Sequence, residues 1–256
     1  MGCDCSALKE DSHTAGEDVI HTYEAGLGWK HGHLQLLLAE LRSLETDLPR
    51  RQLMSILAKL QVKLPNLRDS ASSSTHLSAG LKTKKMYSQR KLVLLAILLG
   101  AGKAIEAAET LEEQYLLDGD YVDICALAAD MCELAIITLP MYAELELKRA
   151  QDTASLLKLT NYAEKLKLGR ANAVSQLSNA ILGEKSCIRL GDLRGRLQET
   201  GDFMVSRALR KKAVQSPLLQ PARLHSILKT PVSGSLTSST SQRSVRFQLS
   251  STESTE

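Results

Sequence analysis

The stretch Leu92-Val93-Leu94-Leu95-Ala96-Ile97-Leu98-Leu99 is apolar on every face of a helix. A helix apolar all round belongs in a core, so this run predicts the most buried element of an all-α protein. Working outward, the surrounding sequence predicts a long helix from about 84 to 117, broken by Asp118-Gly119-Asp120. Upstream, Leu34, Leu37, Leu38 and Leu41 form a stripe at helical spacing, and Leu53, Ile56, Leu57, Leu60 and Leu64 form another, with Pro49 suited to its first turn. Downstream, helices are expected at about 121–138 (ended by Pro140), 141–158, 160–182 (ended by Gly183) and 190–212. Alternating strand patterns are absent. The expected fold is an antiparallel multi-helix bundle joined by short turns.

Composition divides the chain. Residues 1–14 are short and polar, and 15–213 are rich in Leu, Ala, Glu and Lys, with a polar loop at about 66–83. From Val214 onward, 16 of 43 residues are Ser or Thr and only two are acidic. Such a segment buries too little apolar surface to offset chain entropy, so 214–256 is read as a disordered tail.

Several function classes are set aside. The net charge of +3 is too even to argue for nucleic-acid binding. No apolar run approaches the roughly 18–20 residues that span a bilayer, the longest being Leu92 to Leu99, and no apolar h-region marks a signal peptide. Five cysteines, odd in number and unevenly placed, suit a reducing compartment. Gly100-Ala101-Gly102-Lys103 has Ile97 where a phosphate-binding loop needs its first Gly, and Ala104 where it needs Ser or Thr. His31 and His33, with His21 or with Cys3 and Cys5, match no metal-ligand spacing, so no metal or cofactor is assigned and the histidines read as an exposed turn near Trp29. Cys125 and Cys132, seven apart, read as small core residues. Residues 107–135 resemble one tetratricopeptide helix pair, but no second copy follows, and an ordinary helical hairpin is the better reading. No nucleophile–base arrangement can be located, so no enzymatic activity is assigned.

Both ends carry sharper signals. Met1-Gly2-Cys3-Asp4-Cys5-Ser6 fits the N-myristoylation pattern, with Gly2 as acceptor and Cys3 and Cys5 placed for palmitoylation. One acyl chain binds membranes only marginally and reversibly; two make attachment stable. This predicts a protein held peripherally at the cytoplasmic face of a membrane, such as the plasma membrane. In the tail, Ser226-Ile227-Leu228-Lys229 precedes Arg243-Ser244-Val245-Arg246-Phe247 by thirteen residues. The first is a SILK motif and the second fits the RVxF pattern.

Together they resemble the docking motifs of regulatory subunits of the type-1 Ser/Thr protein phosphatase, in which SILK precedes RVxF. The resemblance covers about 22 residues and says nothing of the helical body. It implies that Val245 and Phe247 fill two apolar pockets of the catalytic subunit, that Arg243 faces acidic residues, and that Ile227 and Leu228 occupy a second groove. Neither motif would reach the catalytic metals, which implies targeting rather than inhibition. Ser244 and Thr230 are the expected phosphosites, since a phosphate there would place charge in or beside the docking segments. The expected partners are the phosphatase catalytic subunit, the membrane, and a further protein bound by the body. The alternative is a membrane-associated helical adaptor with no phosphatase partner.

Overall fold

The structure is a computed structural model that describes residues 7–42, 44, 47–64, 82–83, 86–117, 120–200 and 204–215. They form an all-α protein with two small three-stranded antiparallel sheets. Helix α1 (Ala7–Gly26) begins inside the segment assigned to the anchor, earlier than the expected boundary at 15. Next, α2 (His33–Leu41) buries Leu34, Leu37, Leu38 and Leu41, as its stripe predicts, and α3 (Arg50–Leu60) buries Leu53, Ile56, Leu57 and Leu60. Leu64, the last of the second stripe, is buried but lies beyond the helix, which Gln61 closes at φ +56°. The strands β1 (Asp47–Leu48), β2 (Lys82–Thr83) and β3 (Met86–Ser88) pair in the order β1-β3-β2. Two or three residues are too few to show a period of two, which is why the sequence conceals them.

The all-apolar run forms α4 (Gln89–Leu98), in which Leu92 to Leu98 are all buried. The expected helix from 84 to 117 is not continuous. Gly100, at φ +73°, ends α4: its N–H reaches Ile97 O, and the Ala101 N–H reaches Ala96 O. That bond pair around a left-handed glycine is a helix stop. The Ala101 carbonyl then accepts from the Gly32 and Leu34 N–H groups at 2.8 and 3.2 Å, and a Cβ on Gly102 would collide with Leu34. Gly102 thus serves a close approach to α2, whereas Gly100, with open space where a Cβ would stand, serves the left-handed turn. The chain resumes as a 3₁₀ turn (Ala104–Ala107) and α5 (Ala108–Gln114). Between α5 and the next helix, β4 (Leu116–Leu117) pairs with β5 (Tyr121–Val122).

From Ile124 the chain is helical without interruption to Ala150: α6 (Ile124–Cys132), a π segment (Glu133–Thr138) and α7 (Leu139–Ala150). Pro140 was expected to end a helix and instead lies inside this rod. Proline lacks an N–H and its ring crowds the preceding turn; the π register relieves both by widening that turn, and the Leu139 N–H bonds Leu134 O, five residues back. Contrary to the expectation from apolar runs, the rod is long and apolar enough to cross a membrane, because polar residues interrupt the run without lowering its mean hydropathy, but it is mostly buried within the protein. Gln151, at φ +58°, ends α7. The Asp152 carboxylate then caps α8 (Thr153–Leu182) by accepting the Ser155 N–H at 3.0 Å, so the boundary lies at 151–152 rather than near 159. Gly183, at φ +61°, ends α8 as expected.

The last expected helix, 190–212, is two: α9 (Leu193–Glu199) and α10 (Ser206–Val214). Before α9, β6 (Ile188–Arg189) pairs with β5, and the buried Glu112 carboxylate accepts the Gly191 and Leu193 N–H groups at 2.9 and 3.1 Å. The thirty-residue α8 is the spine, packing against α1, α6, the π segment, α7 and α10.

Candidate functional site

None of the sequence-predicted site residues falls within the described residues. Gly2, Cys3 and Cys5 precede Ala7; Ser226, Ile227, Leu228, Lys229, Thr230, Arg243, Ser244, Val245 and Phe247 follow Gln215. The expected loop at 66–83 lies outside them as well, apart from β2. Within them, His33 Nδ1 accepts the Lys30 N–H at 3.2 Å and its ring meets Trp29 edge-on, so this histidine serves a turn. Cys132 is buried, and desolvation pushes its thiol up to about 12. Cys125 is exposed, contrary to expectation: seven residues bring both onto one face, but at the first turn of α6 that face is uncovered.

Among the described residues, a buried polar arrangement lies where α1, α8, α10 and the π segment meet. Arg210 on α10 has no exposed surface. Its Nε donates to Glu17 Oε2 at 2.9 Å, and Nη2 donates to Glu17 Oε1 at 2.7 Å and Glu24 Oε2 at 3.1 Å. Nη1 donates to Glu24 Oε1 at 2.6 Å and to the Ala135 carbonyl at 3.4 Å. A guanidinium has five N–H groups, and all five are used. The Tyr162 hydroxyl, from α8, donates to Glu17 Oε2 at 2.8 Å.

Each partner has a local reason. Glu17 and Glu24, seven apart on α1, project from one face with Ile20 between them. Ala135 is linked to the proline: in the π register its carbonyl would take the N–H of residue 140, which is Pro140 and has none. Arg210 supplies the missing donor. Burial disfavours the charge on Arg210, but the hydrogen bonds and negative charge of Glu17 and Glu24 outweigh it and raise its pKa above the ordinary arginine range. Burial, and then Glu17, raise Tyr162 likewise.

Sequence reading missed this site, although a signal exists. Ser206, Leu209, Arg210 and Ala213 follow helical spacing, and a charged residue inside a buried stripe needs a buried partner. With one positive and two negative groups fully hydrogen-bonded and no nucleophile, the arrangement is a lock. It closes the last described helix onto the first. A second, smaller network joins α4, α5 and α6: Arg90 pairs with Asp130 at 3.1 Å and lies 4.8 Å over the Tyr115 ring, and the Tyr115 hydroxyl donates to Asp130 at 2.9 Å.

Comparison with protein-family models, curated proteins and solved structures finds no match to this chain.

Proposed function

We propose that the chain is a membrane-anchored regulatory subunit that docks type-1 Ser/Thr protein phosphatase through its C-terminal tail. The observation that carries this reading is the ordered pair Ser226-Ile227-Leu228-Lys229 and Arg243-Ser244-Val245-Arg246-Phe247, with rare apolar anchors in a segment that otherwise has little use for them. Gly2, flanked by Cys3 and Cys5, supports the lipid anchor. The thirteen-residue spacer acts as a tether that raises the effective concentration of one motif once the other is bound.

Titration of the full chain with the phosphatase catalytic subunit tests the docking. Val245→Ala with Phe247→Ala should remove most of the affinity, because buried apolar anchors dominate such interfaces. Ile227→Ala with Leu228→Ala should weaken it less, and phosphorylation of Ser244 should weaken it at least about tenfold. Equal binding by wild type and the quadruple variant would reject the reading. Gly2→Ala should move the protein from the membrane to the soluble fraction. The adaptor alternative is favoured by one feature of the body: Leu116, Leu117 and Leu190, each about half exposed, stand around the β4-β5-β6 sheet.

A further inference from the structure

The spine α8 buries one side, which carries Leu159, Tyr162, Leu166 and Gly169, and leaves the opposite side exposed. On that outward side Ala154, Leu157, Asn161, Glu164, Leu168 and Ala171 recur at steps of three and four residues, and all six are exposed. Leu157 and Leu168 are 65% and 67% exposed, more than any other large apolar side chain among the described residues. They stand eleven residues apart on one face, about 17 Å along the helix. Lys158 follows Leu157 and Lys167 precedes Leu168, so an exposed lysine stands on either flank of the stripe. Charge is concentrated here as well. The whole chain carries +3, yet α8 and α10, packed together at Gly169 and Ala213, hold eight basic residues and one acidic, Glu164. Arg170 is paired with Glu133, and Arg210 with Glu17 and Glu24. Arg207 of α10 is exposed and lies within electrostatic reach of Tyr162, one turn from Lys158.

We propose that this outward face of α8 rests on an anionic lipid surface, with Leu157 and Leu168 entering the headgroup layer and Lys158 and Lys167 meeting its negative charge. Shape and charge select this occupant. The cations call for a negative surface. The side of a helix is convex, so the leucines project singly, as side chains that sink into a bilayer surface do. Lysine stems can lie along apolar material while their ammonium groups stay in water. Nucleic acid would match the lysines and leave the leucines without a contact. A partner helix packs along an unbroken apolar seam, which Asn161 and Glu164 interrupt. A second copy would set the same lysines against each other. The inference rests on the proposed membrane attachment, to which it adds a surface of the folded body. A basic patch strengthens the hold of an acyl chain, and the first ten residues offer only Lys9. Folding assembles the patch that the sequence beside Gly2 lacks.

Unacylated full chain carrying Gly2→Ala isolates this contact from the anchor. It should co-sediment with vesicles of phosphatidylcholine and phosphatidylserine at least about tenfold more than with phosphatidylcholine alone. The difference should shrink between about 0.1 and about 1 M salt, as the screening length falls from about 10 to about 3 Å. Lys158→Glu with Lys167→Glu should abolish it, and Leu157→Ser with Leu168→Ser should weaken binding about fivefold or more. Glu164→Gln, which removes the one opposing charge on the face, should strengthen binding. All these side chains are exposed, and unchanged thermal melts would show the body intact. Equal binding to the two lipids, or binding unaffected by the lysine pair, would overturn the inference. So would lipid-free chain that sediments as a dimer and becomes a monomer in the leucine variant, which would assign the face to a second copy. On the acylated chain, the lysine pair should loosen attachment to anionic vesicles and leave attachment to neutral ones unchanged. Acylated chain that attaches to neither would reject the anchor, whereas attachment to both with no effect of the lysine pair would reject this face alone.

Discussion

Arg210 shows how one buried charge can organise distant parts of a chain. It lies 193 residues from Glu17 and 186 from Glu24, and removing it would strand two carboxylates in the interior. Arg210→Met should therefore cost about 3–5 kcal/mol, read as a lower midpoint in urea. Adding Glu17→Leu and Glu24→Leu should recover most of that loss, because the penalty comes from the unpaired charges. The thiols follow from exposure: in the native state Cys125 and Cys187 should react quickly with a maleimide and Cys132 should not, checked by peptide mapping. Stability should also fall in alkali. Burial raises Cys132 from 9.0 to about 12, and it raises Tyr23, Tyr115, Tyr142 and Tyr162 above their usual 10.0. Above about pH 9 the unfolded chain gives up protons that the folded chain retains, so unfolding becomes easier, by about 1.4 kcal/mol per pH unit for Cys132 alone. Below pH 9 these groups contribute no slope. Urea midpoints from pH 7 to 11 would show a plateau and then a decline.

At the scale of the elements, the rod Ile124–Ala150 and the spine α8 set the tolerances. A proline inside a regular helix costs about 3 kcal/mol. Here the π segment and Arg210 have already absorbed the missing N–H, so Pro140→Ala should gain much less than that, about 1 kcal/mol at most. A full 3 kcal/mol gain would show that the π segment compensates nothing. Glycines divide by their surroundings. A Cβ on Gly169 would overlap the Ala213 carbonyl, so Gly169→Ala should cost about 2 kcal/mol by pushing α10 off α8. Gly195, inside α9, has nothing within 4 Å of the same atom, and Gly195→Ala should stabilise by about 0.5–1 kcal/mol. Thermal melts of the two variants should move in opposite directions.

For the whole molecule, the lock makes the first and last described helices one cooperative unit. A chain ending at Gln215 keeps Arg210 and should melt like the full chain, whereas one ending at Glu199 leaves Glu17 and Glu24 buried without their cation. The shorter chain should lose amide-exchange protection in α1 first, while α4 and α6 keep theirs. Equal protection of α1 in both chains would show that the lock is not what holds it.

The sequence by itself determined the all-α class, the burial of Leu92–Leu98, the stripes of α2 and α3, and the stop at Gly183. Each depends on local periodicity or on one residue's backbone freedom, and these are written in consecutive positions. The tertiary structure alone decided where helices break and join. Asp152 caps one helix, Gln151 ends another, and Gly100 closes a third because an incoming loop uses the Ala101 carbonyl. Pro140 stays inside a rod because an arginine seventy residues later donates the hydrogen bond that proline cannot. Periodicity marks which face of a helix is apolar, but not which distant group satisfies a buried charge or carbonyl. The stripe on α10 marks Arg210 as a buried charge, but its partners depend on which helices become neighbours, and so Glu17, Glu24 and the Ala135 carbonyl are assigned to it only by the packing of α1, α8, α10 and the π segment.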